Sequence, residues 1–300
     1  MIARFFLIVL ACFFAEVKAQ NQPVPDSLMR KDFDYLFELI EHEKTSSQDQ
    51  SLYLRAFLIK AKTENNWAEL SNAFKNYVYY ASDDLKLAYS DSMVVAAKNS
   101  KDNKIIGSAY LSKGIAYHRQ KKLTEAMDLY IIADKYISKA NNPDLEHKTK
   151  YQIGQIKYYL GYYEEAISIF KECIDYYKTT NVRAYLNSLH LLGLCYNMIG
   201  DHGLCTAINE QGIAEGRRRG NLEMASYFLH SEGVNQSAIH NYSVGIKTIE
   251  SALPQIKSNN DFANEAVGYF YIGKNYWGLG KKEKAILYFK LVDNIFTKYD

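Results

Sequence analysis

His190 and His230 stand 40 residues apart in similar contexts, "LHLLG" and "LHSEG", so a repeating chain would turn both imidazoles toward one groove. As a metal pair they lack an obvious set of further ligands, and no metal site is expected. Of the four cysteines, Cys12 lies in the apolar leader; the other three, Cys173, Cys195 and Cys205, have no CxxC spacing. An odd number without that spacing argues against a disulfide framework and a zinc site, and fits small buried apolar residues. The chain has no HExxH, GxSxG, P-loop or dinucleotide-binding glycine fingerprint, so no catalytic residues, no cofactor and no enzymatic activity are expected. "RRR" at 217–219 precedes Gly220. Cations before a glycine mark a helix C-terminus, where they complement the dipole.

The elements that would hold these residues follow from a period. Glycines at Gly114, Gly154, Gly193, Gly233 and Gly273 are spaced by 40, 39, 40 and 40 residues. Gly273 is accompanied by Tyr276, Ala285 and Phe289; Gly114 by Tyr117, Ala126 and Tyr130; Gly154 by Ala166 and Phe170; Gly193 by Tyr196 and Cys205; Gly233 by Gly245 and Ile249. A weaker copy places Asn76, Tyr79 and Ala88 at the same offsets. Short polar stretches such as "GLGKK" at 278–282 and "IGDHG" at 199–203 separate segments with apolar residues at helical spacing, so each unit reads as a helical hairpin. Two antiparallel helices approach closely only where side chains are small, which explains glycine facing alanine with aromatic rings beside them. One hairpin cannot bury its outer face, and stacking neighbours does. The reading is all-α: an α-solenoid of about seven stacked antiparallel hairpins. Pro254 falls inside one second helix and is expected to kink or end it near Glu250.

The stretch "YFYIGKNYWGLGKKEKAILYF" resembles the tetratricopeptide repeat in Tyr269, Ile272, Gly273, Tyr276, Ala285 and Phe289. The resemblance covers roughly residues 66–300 and implies a right-handed superhelix. The period exceeds the family's usual length of about 34 residues, as helices longer by about one turn each would require. Carried over from the family's groove positions, the concave face would present Leu111, Ile115, His118 and Arg119; Tyr151, Gln155, Tyr158 and Tyr159; His190, Leu194, Asn197 and Met198; Tyr227, His230 and Val234; and Phe270, Lys274 and Trp277. Aromatic faces and hydrogen-bonding tips together suit a peptide or protein partner. Packing within an aromatic-rich array is the other reading of any single one of these tyrosines.

Arg4 precedes an apolar run from Phe5 to Phe14, and "VKA" ends at Ala19, so residues 1–19 read as a signal peptide and the chain as exported. The run is shorter than the roughly 20 residues that span a bilayer. A lipoprotein signal ending at Cys12 would leave too short an apolar stretch. Removing this segment takes Arg4 and Lys18 from 36 basic residues and Glu16 from 34 acidic ones, leaving 34 against 33. A nearly neutral chain gives no broad basic face for nucleic acid. Residues 20–65, with "DSLMRKDFDYLFELIEHE" and "SLYLRAFLIKAK", read as helices that begin and cap the array of 66–300.

The export signal, the "DSL…DYLFELI" opening and the tyrosine-rich repeats resemble the front half of Bacteroidetes regulators. There an exported repeat domain precedes a membrane anchor and an AraC-type helix-turn-helix domain. That resemblance implies a periplasmic sensory region, with the anchor and the DNA-binding domain lying beyond Asp300 if the gene continues; a free-standing exported scaffold is the alternative. The final helix carries Ile286, Leu287, Phe289, Leu291, Val292, Ile295 and Phe296, too many apolar residues for one face. A following helix pair or a homodimer is therefore expected to cover it.

Overall fold

The computed structural model describes residues 23–42 and 45–299, and the expected signal peptide lies outside them. The described residues are helical with no strand. They fall into two compact units, the described residues up to 140 and those from 141 onward.

In the first unit the helices are α1 (Asp26–Met29), α2 (Phe33–Glu41), α3 (Ser47–Thr63), α4 (Trp67–Tyr80), α5 (Asp83–Ser100), α6 (Asn103–Arg119) and α7 (Leu123–Ala140). The opening amphipathic segment breaks after α1, where Asp32 starts α2 by accepting the Tyr35 backbone N–H at 2.7 Å. Leu36 and Ile40 of α2 then pack with Leu54 and Phe57 of α3 and Ala73 of α4.

The weak repeat copy does not hold in its expected register. Tyr79 and Ala88 are exposed, and the α4–α5 hairpin packs Phe74 and Val78 of α4 against Met93 and Ala97 of α5 instead. The Ser71 hydroxyl donates to the Met93 carbonyl at 3.3 Å. At 14 residues α4 is shorter than the 17-residue α6, so the offsets counted from the glycine column shift along it.

The second unit comprises α8 (Pro143–Tyr159), α9 (Tyr163–Thr180), α10 (Val182–Met198), α11 (His202–Arg218), α12 (Leu222–Ala238), α13 (Tyr242–Ser258), α14 (Phe262–Gly278) and α15 (Lys282–Tyr299). Consecutive helices pair into antiparallel hairpins, and neighbouring hairpins stack through α9–α10, α11–α12 and α13–α14. The helices have 17 or 18 residues each, which accounts for the long period.

Three recurring local devices set the hairpin boundaries. Each full unit starts at an N-cap 12 residues before its repeat glycine: Asp102, Asn142, Asn181, Asn221 and Asp261 each accept a backbone N–H of the first turn. Seven residues after that glycine the backbone is left-handed, at Lys121, Gly161, Gly200, His240 and Gly280, which reverses the chain between the two helices. Between these points the glycine column meets a large side chain. The Gly114 Cα faces the Tyr130 ring, and a Cβ there would lie 2.4 Å from it; at Gly273 a Cβ would lie 2.7 Å from the Phe289 ring.

Helix α13 runs unbroken through Pro254, which corrects the expected stop near Glu250. Pro254 and Glu250 face solvent, so water can satisfy the carbonyl that the proline leaves without a donor. Ile249, Ala252, Leu253 and Ile256 stay buried on the other face, and their packing holds the helix together. The arginine run behaves as expected. Helix α11 ends at Arg218, Gly220 adopts φ 69°, and Arg218 and Arg219 both pair with Glu215.

Candidate functional site

The first helices of the second unit's hairpins, α8, α10, α12 and α14, carry most of the groove positions. Tyr159, Met198, Phe270, Lys274 and Trp277 are exposed, while Tyr151, Gln155, Tyr158, His190, Leu194, Asn197, Tyr227 and Val234 are half-buried. His118, Arg119, Leu111 and Ile115 belong to the first unit. There Leu111 is buried, Arg119 is exposed, and the His118 Nδ1 lies 3.5 Å from the Tyr130 hydroxyl.

Several groove residues are held by neighbours. Tyr151 packs edge-on against Phe170, and the Gln155 amide donates to its hydroxyl at 3.4 Å. Tyr158 packs edge-on against Tyr159 and Tyr163. Phe270 lies 6.0 Å from the Phe289 ring, and the Lys282 ammonium lies over Trp277. Asn197 donates inward to Asn235 at 3.0 Å.

A recess of about 260 Å³ lies across the N-terminal halves of α10, α12 and α14, lined by Arg183, Asn187, His190, Asn221, Glu223, Met224, Tyr227, Asp261 and Asn264. It gathers two residues expected at the groove, His190 and Tyr227, with others not singled out from sequence. Asn187 falls six residues before Gly193, a groove offset, and could have been found by that rule. Asn221 and Asp261 are N-caps whose periodic column was legible. The Tyr227 hydroxyl donates to Asp261 at 2.8 Å, and the Asn264 amide donates to the same carboxylate at 2.8 Å. The Asn187 carboxamide, the Arg183 guanidinium and the Glu223 carboxylate make no hydrogen bond or ion pair among the described residues.

The two histidines do not converge on a shared site. His190 Nε2 is 2.8 Å from the Ser231 hydroxyl, and its ring meets Phe228 edge-on. His230 is buried with Nε2 unpartnered, turned toward the bare Cα of Gly268. Among the described residues no group of three or more His, Cys, Asp or Glu could hold a metal. Burial pushes the His190 imidazole down to about 4, aided by His230, and burial pushes His230 down to about 4 as well. Both folded values lie below the ordinary histidine value of about 6.5, so between them the unfolded chain binds more protons. Stability that these neutral rings supply above about pH 6.5 is lost as pH falls toward 4. Urea midpoints should drop across that window, and the His190→Gln/His230→Gln variant should show a flatter profile. An equal slope for both proteins would overturn this.

A second polar system lies between α11 and α12. The buried Glu232 carboxylate accepts from the Thr206 hydroxyl at 2.9 Å, the Asn209 amide at 3.0 Å and the Gln236 amide at 2.6 Å. Asn235 extends it by donating to Thr206 and to the His202 carbonyl, while the His202 ring meets its oxygen at 2.7 Å. Cys173, Cys195 and Cys205 are buried free thiols, each pushed up to about 12 by burial. No described helix is long and apolar enough to cross a membrane.

Residues 147–180 and 266–296 match the tetratricopeptide repeat model. Solved structures of similar fold include aspartyl phosphate phosphatase F from Bacillus subtilis, 18% identical over 88% of this chain and 68% of that one, with a TM-score of 0.65. A Rap protein complexed with competence and sporulation factor is 13% identical over 88% of this chain and 79% of that one, with a TM-score of 0.58. A tetratricopeptide repeat protein from Parabacteroides merdae is 16% identical over 90% of this chain and 92% of that one, also at 0.58. At such identities the likeness concerns the fold alone. No curated protein matches the chain in sequence.

Proposed function

We propose that the second unit is a non-catalytic scaffold that binds an extended peptide segment of a partner protein across α10, α12 and α14. Asn187 carries the reading. Its carboxamide has no partner in the fold and lines the recess beside Tyr227 and Asn264. A carboxamide offers donors and an acceptor together, the complement of a peptide group. Arg183 and Glu223 add one unpaired charge of each sign, which would select among side chains, and Phe270 and Trp277 are exposed farther along α14, where a longer segment would meet them. A fold of this kind is used for ligand binding in the Rap protein complexed with competence and sporulation factor, which supports the same use here.

The finer reading is that this scaffold is the exported, periplasmic sensory region of a membrane-anchored transcriptional regulator. It rests on the resemblance to the Bacteroidetes regulators; a free-standing exported adaptor is the alternative. Cell fractionation and transcript profiles of a deletion strain separate the two.

The binding reading is tested by panning a random displayed peptide library on the full chain and on Asn187→Ala. Enriched peptides should bind the variant about tenfold more weakly at an unchanged melting temperature, because the replaced side chain is half-buried and unpartnered. No enrichment, or equal binding to both proteins, would count against it.

A further inference from the structure

Ten residues before the repeat glycine, successive hairpins of the second unit carry a charge: Asp144, Arg183 and Glu223. In the first of these hairpins the charge is satisfied internally. Asp144 accepts the hydrogen bond of the Tyr176 hydroxyl, which stands 22 residues after Gly154. The matching slots of the next two hairpins hold Glu215 and Gln255, either of which could have partnered the charge of its own hairpin. Both are engaged elsewhere. Glu215 pairs with Arg218 and Arg219, and the Gln255 amide donates to Ser258 and Asn259, each at 3.0 Å. Arg183 and Glu223 therefore line one recess from the adjacent helices α10 and α12, paired neither within their hairpins nor with each other. The recess is polarised as a result, with a guanidinium at α10 and the Glu223 and Asp261 carboxylates beside Tyr227. Burial, the hydrogen bond to Asp261 and the charges of both carboxylates push the Tyr227 hydroxyl up to about 12, so it stays a neutral donor.

We infer that the recess selects a dipolar peptide segment, seating an acidic side chain at Arg183 and a basic side chain at Glu223, where the Asp261 charge adds to the attraction. This rests on the peptide-binding reading and names the chemistry of its ligand. Packed neighbouring helices lie about 8–10 Å apart and an extended chain rises about 3.3 Å per residue, so the two ligand charges fall about three residues apart. A segment of one sign throughout meets a like charge at one end of the recess and is rejected there.

Peptides enriched by panning on the full chain supply the probes. They are resynthesised with acetylated and amidated ends, so that only side chains carry charge, and titrated against the parent, Arg183→Gln and Glu223→Gln. Both replaced side chains are exposed, and unchanged melting temperatures check the fold. The enriched sequences should share an acidic and a basic residue about three positions apart. Arg183→Gln should weaken their binding about fivefold, yet leave unchanged the affinity of a peptide whose acidic residue is replaced by glutamine. Glu223→Gln should couple in the same way to the basic residue. Panning on Arg183→Glu/Glu223→Lys should return sequences with the two signs exchanged. Peptides that need Asn187 but lack the paired charges, bind only with free ends, or ignore either substitution overturn this inference and leave the peptide-binding reading standing. If no peptide is enriched, both fall.

Discussion

Replacing Gly212 with leucine should destabilise the protein by about 3 kcal/mol, near the upper end for overpacked cores. A Cβ at Gly212 would lie 2.3 Å from two atoms of the Phe228 ring. That ring is fully buried and packs edge-on against His190, so it can yield only by disturbing the wall of the recess. Gly203, at the start of the same helix, is the matching control. Only the Asp201 carboxylate, at 3.9 Å, would approach a Cβ there, and Gly203→Ala should stabilise the helix by up to about 1 kcal/mol. Urea unfolding followed by circular dichroism measures both, and equal midpoints for the two variants would contradict this packing.

The second large effect is expected at Glu232. Truncation to alanine removes the common acceptor of Thr206, Asn209 and Gln236. Thr206 can rotate and Gln236 is half-buried, but Asn209 is fully buried and its carbonyl oxygen already lacks a partner. Leaving one of its amide hydrogens without an acceptor, while the amide still donates to the Cys205 sulfur at 3.4 Å, should cost about 2–4 kcal/mol. Glu232→Gln keeps one acceptor oxygen and should cost less than half as much. A denaturation series in which glutamine and alanine destabilise equally would show that the carboxylate's hydrogen bonds do not carry the effect.

Much of this was legible from spacing because each column of the repeat has one mechanical job. The glycine column is where the side chains of the facing helix come closest, so its interval located the hairpins, and their number and length followed. Two kinds of feature escaped. The recess draws on the N-cap column and on Asn187, residues that act as boundary markers or polar surface when each helix is considered singly. The polar seam arises where two columns change character together. Asn209 occupies the slot of Tyr130, Phe170, Ile249 and Phe289, and Glu232 that of Ile153, Leu192 and Ile272. Each substitution alone resembles a loss of core, and only the contact between α11 and α12 pairs them. Pro254 was misjudged because local backbone cost was weighed without the packing of its neighbours.

The buried thiols also bear on chemical durability. Burial pushes all three thiols well above the ordinary cysteine range and so disfavours the thiolate, the form that attacks a disulfide. Exchange is therefore blocked twice, by ionisation and by access, so the three sulfhydryls are shielded from mispairing even in oxidising surroundings. Cysteine then serves as a small apolar filler, and Cys205 can occupy the small-residue column held elsewhere by Ala126, Ala166, Gly245 and Ala285 without exposing the fold to redox damage.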